Sequence, residues 1–536
     1  MSERETANPL DVIVIGAGFA GLYALHRLRG DGYSVRVLEA GGSIGGTWYW
    51  NRYPGARCDV ESMQYSYSFS DEIQREWRWS QRYAPQPEIL RYINFVADKL
   101  DLRRDIQLET RVVAANFDEQ SRIWKVRTEA GEAFEAPFCV MATGCLSVPI
   151  VPSFPGLESF EGEVYRTSDW PHEGVQLKGK RVGLIGTGSS GIQVTPVLAE
   201  QAKHLYVFQR TPNYSIPALN RPIDNEYEQD WKQNYPERRK AALATRNNML
   251  SDFGTVPGSS VSHEEREREF ERRWTKVGGF GFVHAYPDIM TDPAVNAHAS
   301  EFVKKKIAAL VHDPEVAKKL MPSGYGIGGK RICVDTAYFE TFNRKNVTLI
   351  DVKSDPIRSL NPNGLSTHSQ SFELDTVILA IGFDAITGAL LKIDITGRNG
   401  LKLRDRWAEG PKTYIGMAIS GFPNMFIVTG PGSPSVFTNM VTSIEQHVDW
   451  IADCLAHLKR NGFSAIEALH DAEDKWVSHV NEVANATLMP KGNSWYVGAN
   501  IPGKPRVFMP YLGGAAVYKK VIEEVASKNY EGFRFA

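Results

Sequence analysis

Two segments of this chain follow one plan: an apolar strand, a Gly-x-Gly-x-x-Gly turn, and a helix leading into a second strand. The first, DVIVIGAGFAGLYALHRLRGDGYSVRVLEA over 11–40, carries Gly16, Gly18 and Gly21; the second, KRVGLIGTGSSGIQVTPVLAEQAKHLYVFQRT over 180–211, carries Gly186, Gly188 and Gly191. In such a unit the glycines permit a tight turn, close approach of the backbone to a pyrophosphate, and packing of helix on strand. The helix N-terminus adds N–H donors and a favourable dipole. The repeat lies 170 residues on when Gly186 is compared with Gly16, so the chain is expected to be an α/β protein with two Rossmann-like dinucleotide-binding domains.

The residue that ends each unit separates the two nucleotides. Glu39 stands 23 residues after Gly16, a carboxylate suited to accept hydrogen bonds from ribose hydroxyls. The same count from Gly186 reaches Gln209, followed by Arg210 and Thr211, so the acid is missing. A carboxylate repels a 2'-phosphate whereas a guanidinium and a hydroxyl can bind it, which makes the second site one for NADP rather than NAD. A flavin that takes hydride from a nicotinamide accounts for both units, with FAD at the first and NADPH at the second.

At 536 residues the chain has room for several domains. Residues 1–147 are read as the first part of the FAD domain and 148–222 as the first part of the NADP domain. Residues 223–328 form a helical insertion, 329–383 the second part of the NADP domain, and 384–536 the second part of the FAD domain. The insertion is marked by charged stretches such as SHEEREREFERRW, with Ser262 and Glu265 as a capping box and helix starts at Asp292-Pro293 and Asp313-Pro314. Val303, Ile307, Leu310 and Val311 make one apolar stripe. DTVILAIGFD over 375–384 reads as a buried strand returning to an earlier sheet, and Ile444, Val448, Ile451, Leu455 and Leu458 as the core face of a late helix.

A net charge of -2 gives no footprint for nucleic acid or an anionic membrane, and the charged start MSERETANPLD lacks the order of a signal peptide. No apolar run approaches the ~18 residues of a membrane span, and a cytoplasmic chain is expected. The five scattered cysteines contain no C-x-x-C pair, which argues against a zinc or other metal site and against thiol relay from the flavin. The remaining large class of flavin chemistry uses dioxygen, through a C4a-peroxide shielded from water.

Several stretches resemble the class B Baeyer-Villiger monooxygenases: GGTWYWNRYPGARCDVES, FEGEVYRTSDWP, GTGSSGIQ, GGKRICVDTAYFETFNRKNV, LAIGFD and NSWYVGANIPGKPRVFMPYLGG. GPGSPSVFTNM and NYSIP are most similar to the phenylacetone and steroid monooxygenase branch, with the cyclohexanone monooxygenases as cousins. The resemblance implies a ketone converted to an ester or lactone through a peroxyflavin anion and a tetrahedral adduct. It places Gly46, Thr47, Trp48, Asp59, Tyr65, Val112 and Met440 around FAD. Arg57, Cys58, Thr187, Ser189, Ser190, Ile192, Gln193, Lys330 and Trp495 then fall near NADP, and Trp495 would serve as a lid. Arg331 becomes the essential arginine. The chemistry of the residues agrees, since a permanent guanidinium favours an anionic peroxide and can stabilise the oxyanion of the adduct, while Asp59 orients it.

Two positions depart from the pattern: Arg166 stands where histidine is usual, and Ile381 where threonine is usual. Histidine can donate and accept as a neutral ring, but arginine only donates. His172, six positions on, is not assigned the missing role, and FEGEVYRTSDWP is read as a linker between the nucleotide domains. A rival reading is oxygenation of an amine or sulfide, and another is a catalytically weak flavoprotein. The resemblance puts Cys145, Leu146 and the 433–438 loop around a small-molecule ketone of unspecified class, in a protein expected to be monomeric.

Overall fold

The computed structural model describes residues 9–536, and the charged opening MSERETAN lies outside them. Each glycine-turn unit sits in its own five-stranded parallel sheet. In the first, Val12–Ile15 is central, flanked by Val35–Leu38 and Phe138–Met141, with Ile106–Gln107 and Met425–Ile427 outermost. A wholly apolar VIVI strand suits this place, because helices cover both faces of a parallel sheet. The chain leaves the central strand towards one side and comes back on the other, which opens a crevice at its carboxyl end. Met425–Ile427 makes this sheet discontinuous in sequence.

The second sheet runs in the order Val347–Asp351, His204–Gln209, Arg181–Ile185, Thr376–Leu379, Glu163–Arg166. The strand within DTVILAIGFD therefore returns to this sheet, beside Arg181–Ile185. Residues 163–166 correct the linker reading: they form the sheet's outer strand, with Arg166 in register with Leu379. Val164 and Tyr165 favour an extended chain, and an outer edge tolerates the exposed charges of Glu163 and Arg166.

The insertion folds as helices that start at their capping residues. Ser262 Oγ accepts from Glu265 N at 3.1 Å, and Asp292 Oδ1 accepts from Ala294 N at 2.8 Å and Val295 N at 3.0 Å. Helices Pro293–Leu310 and Pro314–Leu320 follow their Asp-Pro pairs, and Val303, Ile307 and Val311 are buried. Helix Met440–Asn461 buries Ile444, Val448, Ile451, Leu455 and Leu458. It lies on helix Phe19–Gly30, where Tyr23 Oη donates to Asp449 Oδ1 at 2.7 Å.

Strand Cys333–Asp335 follows Lys330 and Arg331 directly and pairs with Ser215–Pro217, fixing the segment that carries both cations. Asp335 accepts from Ser215 Oγ and from Tyr338 N at 3.1 Å, and its burial pushes the carboxyl up to about 6. A raised folded-state value means that the neutral form is the one favoured by folding. Its contribution is complete below about pH 4 and is lost as pH rises through about 6, on the order of 3 kcal/mol in all. Asp335→Asn is expected to flatten this part of the pH profile of thermal stability; an unchanged profile contradicts the assignment.

Candidate active site

Both glycine turns obey the same steric logic. Gly16 has φ +107°, and a Cβ there would stand 2.6 Å from the Ala142 carbonyl oxygen; Gly186 has φ +111°, with Ala380 O at 2.3 Å. Each crevice is thus narrowed to backbone against backbone. At Gly21 and Gly191 a Cβ would fall 1.7 and 2.1 Å from the carbonyl oxygens of Gly16 and Gly186, so the helix can seat on its turn only as glycine.

In the first crevice Gly46 faces Gly18, and a Cβ on Gly46 would lie 2.9 Å from Gly18 Cα, filling the space a pyrophosphate needs. Glu39 is 5% exposed and accepts from Ala17 N at 2.6 Å and Gly41 N at 2.7 Å; burial pushes its carboxyl up against these bonds. Each oxygen retains a lone pair for a ribose hydroxyl. Thr47 opens a short helix, and Trp48 Nε1 donates to Tyr65 Oη at 3.1 Å. Val112 packs below with Ile13, Ile15 and Leu38. Met440 begins its helix next to Asn439, whose Nδ2 donates to Gln64 O at 2.7 Å. These contacts fit an FAD whose diphosphate passes Gly18 and Gly46.

In the second crevice Gly188 faces open space, Thr187 Oγ1 donates to Thr211 O at 3.1 Å, and Ser189 Oγ lies 3.4 Å from Cys333 Sγ. Ser190 borders Tyr53, and Ile192 is core. Gln209 is 2% exposed and donates Nε2 to Lys319 O at 2.8 Å. A carboxylate in its place would face that carbonyl oxygen, a structural reason for the missing acid. Arg210 is exposed, and Lys330 is half-buried; burial and then the Arg210 charge draw the lysine's pKa down. Neither has a carboxylate partner among the described residues. Two mutually repelling cations fit the 2'-phosphate of NADP.

Arg331 stands where the two units meet. Its Nε and Nη2 donate to Asp59 Oδ2 at 3.0 and 2.8 Å, and Nη1 donates to the Val436 carbonyl at 2.7 Å. The guanidinium lies 5.1 Å from the centre of the Phe280 ring. Burial works against its charge, but Asp59 and the Tyr496 hydroxyl more than offset it and raise the pKa. The same partners hold the arginine in one orientation.

The units are latched by Gln193. Its Oε1 accepts from Tyr53 Oη at 2.8 Å and Arg57 N at 3.4 Å, and its Nε2 donates to Arg57 O at 3.1 Å. Arg57 donates onward to Gln81 and to the Tyr83 carbonyl, and Cys58 is buried beside it. Gln193→Leu removes one partner of the Tyr53 hydroxyl and the partners of the Arg57 backbone N–H and carbonyl, and is expected to cost about 1–3 kcal/mol of stability. The denaturation midpoint should fall, and should fall no further when Tyr53→Phe is added.

Trp495 is half-buried between two small apolar clusters, its ring centre 4.3 Å from that of Tyr496, with Cys145 packed against both clusters. Arg166 is exposed. The fingerprint segment instead docks through Trp170, whose carbonyl accepts from Arg52 Nη1 at 2.7 Å, and through His172, whose ring is tilted against that of Tyr49 with centres 5.3 Å apart. Ile381 packs half-buried against the second sheet's core. Sequence reasoning missed Phe280 and the Val436 carbonyl. A GGFGF run hints at an exposed aromatic, but a backbone acceptor leaves no mark in sequence.

The pyridine nucleotide-disulphide oxidoreductase family matches residues 10–235. A Baeyer-Villiger monooxygenase of Pseudooceanicola batsensis is 45% identical over 527 residues, covering 97% of this chain and 95% of its own. The phenazine N-monooxygenase PhzNO1 of Lysobacter antibioticus is 41% identical over 526 residues, covering 98% and 96%. A solved structure of oxidized steroid monooxygenase bound to NADP superposes with a TM-score of 0.95 at 50% identity, covering 98% of this chain and 99% of that one. Identity of this order along the whole length, on a chain with both dinucleotide crevices, makes the protein a member of the Baeyer-Villiger monooxygenases that use FAD and NADPH.

Proposed function

We propose that the enzyme inserts one oxygen atom beside a ketone carbonyl to give an ester or lactone, with Arg331 and Asp59 as the pair that carries the step. A bound FAD, once reduced by NADPH, would activate dioxygen for this step. The observation behind the assignment is the arginine's geometry: three of its five N–H groups are spent on Asp59 and Val436 and the Tyr496 hydroxyl borders the guanidinium, which still leaves donor capacity on the terminal nitrogens for substrate oxygen. A tetrahedral adduct of a ketone carries an oxyanion, and a fixed cationic donor stabilises it without reorganising. Arg331 transfers no proton, because its pKa is raised; it acts by charge. Asp59 keeps that charge balanced until the oxyanion forms. Phe437, Tyr496 and Phe508 pack together beside Val436 and make an apolar flank next to the half-buried arginine.

The remaining assignments follow. Gly16, Gly18, Gly21, Glu39, Gly46, Thr47, Trp48, Asp59, Tyr65, Val112 and Met440 would hold FAD. Arg57, Cys58, the 186–193 turn, Arg210, Thr211, Lys330 and Trp495 would hold NADP. We assign FAD to 1–147 with 384–536, supported by Met425–Ile427 in the first sheet. We assign NADP to 148–222 with 329–383, supported by Val347–Asp351 and Thr376–Leu379 in the second, and 223–328 is the insertion. We read the enzyme as cytoplasmic, in keeping with five unpaired thiols, and as monomeric, since one chain supplies both crevices and the pair between them.

The Lysobacter relative favours a second reading, oxygenation of an aromatic nitrogen. Purified enzyme supplied with NADPH and a panel of aryl, cyclic and steroid ketones should give ester or lactone by mass spectrometry. An N-oxide from a heteroaromatic amine, with no ester from any ketone, contradicts the proposal.

A further inference from the structure

The helical insertion ends in PSGYGIG over 322–328, and Gly329 carries the chain from it into Lys330 and Arg331. Its tyrosine is tied to the corner of the second nucleotide unit. Tyr325 Oη donates to the Pro212 carbonyl at 2.7 Å and lies 3.3 Å from Asn213 Oδ1, while Tyr214 Oη donates to the Tyr325 carbonyl at 3.2 Å. The rings of Tyr214 and Tyr325 meet edge to face at 5.5 Å. All of these partners follow Arg210 and Thr211 immediately in the chain. On the other side, Lys330 Nζ lies 5.3 Å from the centre of the Tyr325 ring and donates to the Asn493 carbonyl at 3.0 Å.

A cation meant for a phosphate has to be held without being neutralised. A carboxylate partner would hold Lys330 and cancel the charge that the phosphate needs. An aromatic face attracts an ammonium through its quadrupole and leaves the net charge intact. The ring under Lys330 belongs to a residue whose hydroxyl is anchored on the loop bearing Arg210, so a single side chain fixes the spacing between the two cations. We infer that Tyr325 is the positioning residue of the 2'-phosphate site, holding Lys330 against Arg210 and so setting the preference for NADPH over NADH. This rests on the reading of Arg210, Thr211 and Lys330 as that site. The lowered pKa of Lys330 agrees, since burial and the Arg210 charge strain a cation pair that a phosphate dianion would relieve.

The test is equilibrium binding of 2',5'-ADP and of 5'-AMP to the FAD-loaded enzyme by titration calorimetry, in wild type, Tyr325→Leu, Tyr325→Phe, Lys330→Ala and Arg210→Ala. Tyr325→Leu is expected to weaken 2',5'-ADP by about tenfold while 5'-AMP binding stays unchanged. Tyr325→Phe keeps the ring and loses the anchor, and is expected to fall between, at about threefold. In turnover the KM for NADPH should rise and kcat should hold. Flavin content reports folding, and the phenylalanine variant carries the test if leucine does not retain FAD. Equal weakening of both nucleotides by either Tyr325 variant, the mark of a merely structural role, overturns the inference. So does an unchanged preference in both Tyr325 variants while Lys330→Ala and Arg210→Ala abolish it. If those two variants also leave the preference unchanged, the site reading falls and the inference falls with it.

Discussion

Replacing Arg331 with alanine is expected to lower kcat for ketone oxygenation by about a hundred- to a thousandfold, the usual loss when one preorganised oxyanion donor is removed. NADPH should still bleach the flavin, because hydride transfer develops no oxyanion for Arg331 to stabilise. Reoxidation by dioxygen should then proceed with little ester formed, so reducing equivalents are lost uncoupled from product. Arg331→Lys should recover only a part. A lysine restores charge, but it cannot give two N–H bonds to Asp59 and one to the Val436 carbonyl while keeping donors for substrate. Retention of coupled oxygenation in Arg331→Ala, measured as ester formed per NADPH consumed, contradicts the assignment.

The second large effect concerns the nucleotide. Arg210→Ala combined with Lys330→Ala removes both cations proposed to bind the 2'-phosphate, and the KM for NADPH is expected to rise by about a hundredfold, since each charge-assisted contact is worth about 1.5–3 kcal/mol and part of that is recovered by water. The KM for NADH should barely move, because no 2'-phosphate is present to lose a partner. The double variant would therefore nearly lose its cofactor preference. It should not acquire a strong preference for NADH, because Gln209 is turned towards the Lys319 carbonyl and offers the ribose no carboxylate. Steady-state kinetics with both nucleotides decides this, and a preserved NADPH preference rules the site out.

The parts legible in sequence are those where the chain makes its own case locally. Each glycine triplet sits between strand and helix within some thirty residues, and the carbonyl oxygens of Ala142 and Ala380 that make Gly16 and Gly186 obligatory follow from the fold those residues specify. Helix starts at Asp292 and Asp313 were readable because a cap acts within three residues. The pair Asp59 and Arg331 is separated by 272 residues, and only the resemblance brought it together before the structure did. The resemblance named Gln193 and the 433–438 loop, but neither the Gln193 latch nor the part played by the Val436 carbonyl was readable, since a contact made across the chain leaves no signature in its own neighbourhood. The misreading at 163–166 has a physical cause: an edge strand with solvent-facing charges lacks the apolar run that marks a buried strand, so it passes for linker. Its consequence for Arg166 is direct. That side chain is exposed on the outer edge, and the contacts between the fingerprint segment and the first nucleotide unit fall to Trp170 and His172.

Coupling of NADPH and dioxygen to oxygen insertion beside a ketone through Arg331 can be followed by running wild type and Arg331→Ala with a ketone under isotopically labelled dioxygen and analysing the product by mass spectrometry. Wild type should give ester or lactone carrying one labelled oxygen, and the variant should show flavin reduction without labelled ester. Equal labelled ester from both would contradict it.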